Sequence, residues 1–216
     1  MNKENKLDKY LLIVSKSNPL NEEKDEWIKE NFEFVPYTDE DGESCMEVET
    51  FRAYTALVAL MKKKYHLDVN SHSAYRSIER QQQVYDQMVK LYGEEWAKGH
   101  VATPGTSEHH TGLAFDLRFK SSFVPEFLRG TANKISKRTG YQKKFFEILE
   151  KEAVQFGLVK RYKAGKEDIT GFKEEAWHFR YVGVEHAKKM YETGMCLEEY
   201  TKELILNNQN AKVALH

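Results

Sequence analysis

The sequence predicts a single α+β domain in which a small antiparallel sheet is flanked by helices. Three observations predict this class: apolar residues recur at steps of three and four early in the main part of the chain, they alternate at period two after Gly112, and short strands and helices are mixed later. This order differs from the regular βαβ alternation of a parallel sheet. A length of 216 residues suits one domain with a sizeable core.

The domain boundaries are predicted where the pattern changes. Residues 1–49 contain a short apolar run, Leu11 to Val14, followed by an acidic stretch. They are interpreted as loops and short strands that form an N-terminal extension packed on the domain. The main domain is placed at residues 50–206, and residues 207–216 are expected to form a C-terminal tail.

The main domain is expected to begin with two helices separated by a strand. The spacing predicts a helix over 50–65, whose apolar face is formed by Phe51, Tyr54, Val58, Met61 and Tyr65. Residues 69–76 are interpreted as a short strand. Ser77 is a suitable N-cap for the second helix, in which apolar residues continue at helical spacing to Leu91.

The second half of the chain is expected to supply most of the sheet. Residues 100–112 are rich in Gly, Thr, Ser and His without periodicity and predict a loop. The alternation over 113–120 predicts a strand with Asp116 on the face opposite Phe115. A helix is expected to end at Gly157. The remaining predicted elements are strands at 158–162 and 177–182 and helices near 184–192 and 197–206.

Charge, cysteine content and hydropathy exclude several classes of protein. The 33 Lys and Arg balance 34 Asp and Glu to a net charge of -1, so no excess positive field favours nucleic acid as a partner. Cys45 and Cys196 are expected to be reduced thiols, with a single disulfide between them as the alternative. No run approaches the ~20 apolar residues of a membrane span, and Leu11 to Val14 is too short for a secretory signal. We therefore expect a cytoplasmic protein.

Three segments place unusual polar side chains on or beside ordered elements, at residues 73–76, 107–116 and 175–180. A zinc ion in a hydrolytic site takes three nitrogen or oxygen ligands and keeps one position open. His109, Asp116 and His178 can supply that set if the strands that carry Asp116 and His178 are adjacent. Gly112 would let the chain turn between His109 and Asp116.

Spacing alone does not decide between His109 and His110 as the ligand. Neighbouring side chains in extended backbone point to opposite sides, so His110 is not expected to join His109 at one site. Each residue also fits a role without a metal. Each histidine could be an ordinary hydrogen-bonded side chain at the surface or in the core, and Asp116 could form an ion pair at the edge of a strand. From periodicity and spacing, the zinc site is therefore the weaker of two interpretations.

The pattern Ser107-x-His109-x-x-Gly112-x-Ala114-x-Asp116, followed by Glu175-x-Trp177-His178, resembles the signature of the zinc D-alanyl-D-alanine peptidases. That family includes the D,D-carboxypeptidases and D,D-dipeptidases of vancomycin resistance, related L,D-carboxypeptidases and some phage endolysins. The likeness covers most of residues 10–200. Further matches lie at 12–20, at 75–77 with Gln81, at 104–105, at 165–171 and at 180–183.

The resemblance implies a role for each of these residues. His109, Asp116 and His178 fall on the zinc ligands, and Glu175 falls on the catalytic base. Arg76 falls on the arginine that stabilises the substrate carbonyl as it becomes an oxyanion. The candidate substrate-binding residues are Ser107, Gln81, Tyr75 and Trp177.

Two features of the sequence qualify these assignments. The run of three glutamines leaves the register of Gln81 ambiguous. Ala176 stands where the family commonly has proline, which loosens the segment that holds Glu175 without removing a reactive group.

The function that the resemblance implies is zinc-dependent removal of the C-terminal D-Ala from peptidoglycan precursors by the domain at 50–206, with a role in glycopeptide resistance. The partner is then a precursor peptide that ends in a D-amino acid. Two alternatives within the enzyme class are an L,D-carboxypeptidase and a phage-type peptidoglycan endopeptidase. A non-catalytic zinc domain that binds peptides is the alternative of another class; its mark would be the loss of Glu175 or Arg76, and both are present.

Overall fold

The computed structural model describes residues 8–39, 42–119 and 140–213. Within these ranges the chain forms the predicted α+β fold. Residues 1–7 of the predicted extension, 120 of the predicted strand and 214–216 of the predicted tail lie outside them. The elements are α1 (Glu22–Asn31), β1 (Phe34–Asp39), β2 (Gly42–Glu47), α2 (Val48–Tyr65), β3 (Val69–Ser73), α3 (Ile78–Tyr92), α4 (Glu94–His100), β4 (Ala114–Phe119), α5 (Gly140–Ala153), β5 (Leu158–Tyr162), α6 (Glu167–Thr170), β6 (Glu175–Tyr181), α7 (Val184–Thr193) and α8 (Leu197–Val213).

The central sheet has four strands in the order β3-β4-β6-β5, with every neighbouring pair antiparallel. Phe115 on β4 lies opposite Phe179 on β6, and both are fully buried in the main core against α2 and α5. Asp116 lies opposite His178 in the next register position. Because successive side chains of a strand alternate between faces, this pair occupies the face away from the main core, as predicted for Asp116.

The predicted helices around the sheet are present. Helix α2 begins two residues earlier than predicted because the Glu47 carboxylate accepts hydrogen bonds from the backbone N–H groups of Glu49 and Thr50. Ser77 caps α3 as predicted, with its side chain accepting from the backbone of Arg80. Helix α8 continues to Val213, so residues 207–213 of the predicted tail are helical. The domain boundaries themselves stay a prediction.

Helix α1 lies in the segment that was expected to contain only loops and short strands. Its start carries the usual signals: Asn21 accepts a hydrogen bond from Lys24 N–H, and acidic residues occupy the first turn. Ile28 is its buried residue, so the apolar repeat is too sparse to predict a helix from periodicity. The expected short strands are present as the antiparallel pair of β1 and β2.

The predicted loop at 100–112 contains a short 3₁₀ helix, Glu108–Thr111, directly before β4. Gly112 ends it in the left-handed region at φ 69°, and a Cβ at this position would lie 2.4 Å from Phe34 Cε1. The turn that was expected at Gly112 is therefore confirmed, and the hairpin of β1 and β2 is packed directly over it.

The structure also bears on the expectations of reduced cysteines and of no membrane span. Cys45 and Cys196 are free thiols. Among the described residues, no helix combines the length and the apolar character needed to cross a bilayer.

Candidate active site

Three potential ligand side chains converge on the face of β4 and β6 that lies away from the main core. His109 comes from the 3₁₀ helix, Asp116 from β4 and His178 from β6, and all three are buried. His109 Nε2 lies 3.5 Å and His178 Nδ1 lies 3.4 Å from Asp116 Oδ1. One ligand atom from each residue falls within 4.8 Å of the others, which makes this trio a group that could hold a metal ion.

The structure separates His109 from His110. His110 Nδ1 lies 2.6 Å from the Arg76 carbonyl, and its Nε2 accepts a hydrogen bond from Gly105 N–H, so both ring nitrogens are engaged outside the trio. The expected reason was wrong, since the two residues lie in a 3₁₀ helix and not in extended backbone. Neighbours in such a helix differ by about 120° in direction, which still sends them to different places.

The potential ligand atoms of the trio face one another. His109 Nδ1 lies 2.6 Å from the Ala74 carbonyl and must donate to it, which leaves Nε2 as an acceptor. Asp116 Oδ2 accepts from Arg76 Nη2 at 2.9 Å, whereas the buried Oδ1 has no hydrogen-bond partner among the described residues. An orphaned buried carboxylate oxygen that faces two imidazole nitrogens is the arrangement expected where a cation binds.

The charge of the trio follows from its surroundings. Burial and the Arg76 guanidinium lower the pKa of His109 to about 4, so this imidazole is neutral near neutral pH. Burial alone would raise the pKa of Asp116, but the two imidazoles and Arg76 hold it well below its usual range. Burial alone would lower the pKa of His178, but the nearby carboxylates of Glu108, Glu175 and Asp116 raise it to about 9. A bound cation would replace the His178 proton.

Glu175 reaches the trio because of an irregularity in the sheet. The register of β5 and β6 shifts between Lys160 and Tyr162, opposite the segment that contains residues 176–178. Regular alternation would place Glu175 and His178 on opposite faces, since they are three residues apart. With the shift, Glu175 Oε2 lies 3.4 Å from His178 Nδ1. Burial raises the pKa of the Glu175 carboxyl, as suits a group that exchanges protons.

Arg76 is held in place by several partners. Its Nε donates to Ser73 Oγ at 2.8 Å, Nη1 donates to Gln81 Oε1 at 3.1 Å, and Nη2 lies 2.9 Å from Asp116 Oδ2 and 3.1 Å from His109 Nε2. The guanidinium therefore adjoins the trio in a fixed orientation.

The predicted substrate-binding residues lie in different settings. Gln81 is the fully buried member of the glutamine run, and its amide joins Arg76 to the Ala102 carbonyl, 2.7 Å from Nε2. Ser107 is buried directly before the 3₁₀ helix. Tyr75 packs edge-on against Phe34 on the hairpin side, and Trp177 is partly exposed directly before His178. The peptide-binding roles of these four residues stay predictions.

Sequence reasoning missed Glu108. Its carboxylate is fully buried, and Oε2 lies 3.4 Å from His178 Nε2. An acidic residue in a polar loop is expected to be solvated, and its partners Arg161 and Arg180 are 53 and 72 residues away. Its place between Ser107 and His109 was the available signal.

Comparisons with known proteins identify the family of this chain. Residues 43–184 match the family model of VanY, D-alanyl-D-alanine carboxypeptidase. A D-alanyl-D-alanine carboxypeptidase of Enterococcus faecalis is 38% identical over 137 residues, which cover 59% of this chain and 45% of that protein. The bifunctional D-Ala-D-Ala dipeptidase and carboxypeptidase VanXYC of Enterococcus gallinarum is 27% identical over 195 residues, which cover 88% and 92%. This chain thus spans less than half the length of the E. faecalis relative.

Solved structures of peptidases are also similar to this chain in fold and in sequence. A vancomycin-resistance D,D-pentapeptidase VanY from a VanB-type cassette, solved with Zn(II), superposes with a TM-score of 0.69 at 28% identity, over 88% of this chain and 98% of that one. The LD-carboxypeptidase LdcB superposes with a TM-score of 0.66 at 29% identity, over 93% and 94%. The family match spans every predicted site residue from Tyr75 to His178 and well over half of the sequence. The chain therefore belongs to the VanY family of D-alanyl-D-alanine carboxypeptidases.

Proposed function

We propose that this protein is a zinc peptidase that removes the C-terminal D-Ala from peptidoglycan precursors, as a D,D-carboxypeptidase, a D,D-dipeptidase or both. The observation that carries the proposal is the convergence of three buried ligand atoms, one carboxylate and one guanidinium on a single point. The relatives named for D-Ala-D-Ala hydrolysis, and the VanY structure solved with Zn(II), support both the substrate class and the metal.

The donor set fits zinc. Two imidazole nitrogens, from His109 and His178, and one carboxylate oxygen, from Asp116, are the number and kinds of ligand that a catalytic zinc takes while it keeps a position open. When bound, zinc supplies a hydroxide-like nucleophile near neutral pH and polarises the scissile carbonyl. The adjoining charges of Glu175 and Arg76 complete a hydrolytic arrangement and weigh against a domain that only binds peptides.

The chain's own residues perform the proton and charge steps. Glu175 accepts the proton of the attacking water and delivers it to the nitrogen of the leaving D-Ala. Arg76 carries a permanent positive charge and stabilises the oxygen of the scissile carbonyl as negative charge develops there. Because Ser73 and Gln81 fix Arg76 beforehand, little reorganisation is needed when that charge appears.

Arg76→Ala is expected to lower kcat by about 10²–10³-fold, the scale for loss of one oxyanion donor. Zinc content should stay at the parent level, because none of the three ligands is removed. Initial rates of D-Ala release and metal analysis on the same preparation check this. Arg80→Ala, a change at the exposed third residue of α3, is the matched control. An Arg76→Ala enzyme with the parent kcat would exclude this role for Arg76.

A substrate panel tests the function itself. The zinc-loaded protein is incubated with D-Ala-D-Ala, a precursor pentapeptide, a tetrapeptide and a cross-linked peptide, and the products are identified by mass spectrometry. We expect D-Ala release from the first two. Release only from the tetrapeptide would favour the L,D-carboxypeptidase alternative, which the similarity to LdcB supports. Cleavage only of the cross-link would favour an endopeptidase, and peptide binding without turnover would favour the non-catalytic domain.

The cytoplasmic location predicted above is part of this proposal. Two free thiols, Cys45 and Cys196, are typical of a reducing compartment and support it. Soluble precursors would then be the substrates.

A further inference from the structure

A group of charged side chains is buried behind His178, on the side away from the other two ligands. This buried charge cluster consists of Glu108, Arg161, Arg180 and Glu198. Arg161 Nε and Arg180 Nη1 both donate to Glu108 Oε1, at 2.7 and 2.6 Å. Arg161 also makes a bidentate pair with Glu198, at 2.9 and 2.6 Å. The side chains of Glu108 and both arginines have no solvent exposure.

Burial of these ion pairs is not by itself evidence that the cluster stabilises the fold. Removing charged groups from water is costly, and well-packed apolar side chains of similar volume often stabilise a fold as much or more. The charges of the two arginines are balanced by those of the two glutamates, so no net charge is buried. The cost of the cluster favours a role for at least one member beyond packing.

The two oxygens of Glu108 are used differently. Oε1 takes both arginine donors, which prevents the carboxylate from turning away. Oε2 has no hydrogen-bond partner among the described residues and lies 3.4 Å from His178 Nε2, which has none either. Two buried polar atoms that face each other in this way are complementary if the imidazole carries its proton on Nε2.

We propose that Glu108 is the positioning residue for His178: it accepts the Nε2–H proton and so presents the Nδ1 lone pair to the metal. This inference rests on the proposed zinc site. An outer carboxylate that fixes the tautomer of a metal-bound histidine makes the ring a better ligand. The arginines in turn hold Glu108, and the C-terminal helix α8 contributes through Glu198 at its first turn.

The substitution Glu108→Gln tests the inference with almost no change in shape. The amide oxygen can still accept from the arginines, which directs its NH₂ group toward His178 Nε2. An NH₂ donor requires Nε2 to be an acceptor, so the proton moves to Nδ1 and competes with the metal. We expect zinc affinity to fall by about 10–100-fold, measured by chelator competition on the full chain.

Glu198→Gln is the matched control, because it makes the same change of charge in the cluster without facing His178. Its zinc affinity should equal the parent's within error, and its cobalt(II) absorption spectrum should match the parent's, whereas that of Glu108→Gln should change. Parent-like affinity and spectrum for Glu108→Gln would overturn the inference and leave Glu108 as an ion-pair partner only.

A measurement on the parent protein keeps the inference testable if Glu108→Gln does not fold. In the zinc-loaded parent, ¹⁵N NMR of the histidine side chains should show His178 bound through Nδ1 with a proton on Nε2. Coordination through Nε2 would overturn the inference. If the parent binds no zinc or hydrolyses none of the panel, the proposed function fails instead, so the two failures are distinguishable.

Discussion

Replacing Glu175 with Gln is expected to lower the rate of D-Ala release by at least about a hundredfold, within the ~10²–10⁴-fold that positioned proton transfer contributes. The amide has nearly the same size but cannot accept the water proton. Glu175 lies 3.4 Å from His178 Nδ1 and is not one of the three ligands, so zinc content and much of the peptide affinity should persist. Kinetics, metal content and peptide binding are measured on one preparation.

Glu174→Gln is the control for this prediction. Glu174 is the neighbouring carboxylate, and its partly exposed side chain lies 3.3 Å from Lys160 Nζ. This variant should retain the parent rate. If Glu175→Gln hydrolysed D-Ala-terminated peptides at the parent rate with full zinc, Glu175 would not be the base.

His109→Ala is expected to abolish stable zinc binding and, with it, hydrolysis. The variant loses one of three ligands, so the loss of affinity should exceed the roughly 10–100-fold that follows removal of an outer partner. Asp116 would also keep a buried carboxylate with one imidazole fewer beside it. Metal analysis after dialysis, and zinc titration with a chelating indicator, measure the effect.

His110→Ala is the control, because His110 is adjacent in sequence but bonded elsewhere. Loss of its contacts with the Arg76 carbonyl and Gly105 N–H should lower thermal stability while zinc stays bound. If His110→Ala released the metal and His109→Ala did not, the assignment of the ligands would be reversed.

Local patterns predicted the elements whose own sequences carry a regular apolar period. The apolar repeat located α2, which buries Ala53, Tyr54, Leu57 and Met61 on one face. It also located α3, although Gln81 is the buried residue of that helix, and the alternation around Asp116 located β4. Helix α1 has Ile28 as its buried residue, so its cap and acidic first turn were its stronger signals.

The structure brings together His109, Asp116 and His178, to which the sequence pattern pointed, but the contacts between distant segments were not predicted. Glu108 is an ordinary acidic loop residue until Arg161 and Arg180 bury it. The approach of Glu175 to His178 depends on a shift of register in the sheet, which spacing along one strand does not reveal. Periodicity describes one element at a time, whereas these features need two or three elements together.

The arginine pair also has a consequence for how the domain assembles. Arg180 donates to the carbonyls of Tyr10 and Leu12, which precede it by 170 and 168 positions. At about 5–20 residues per second on the ribosome, the 170 positions between Tyr10 and Arg180 take roughly 10–30 s to synthesise. The Tyr10 carbonyl therefore lacks its Arg180 donor for that time after its own synthesis. Arg161 lacks Glu198 until another 37 positions have been added. The three potential ligands are complete only once His178 has been synthesised, and the buried charge cluster behind it is complete only once Glu198 has followed.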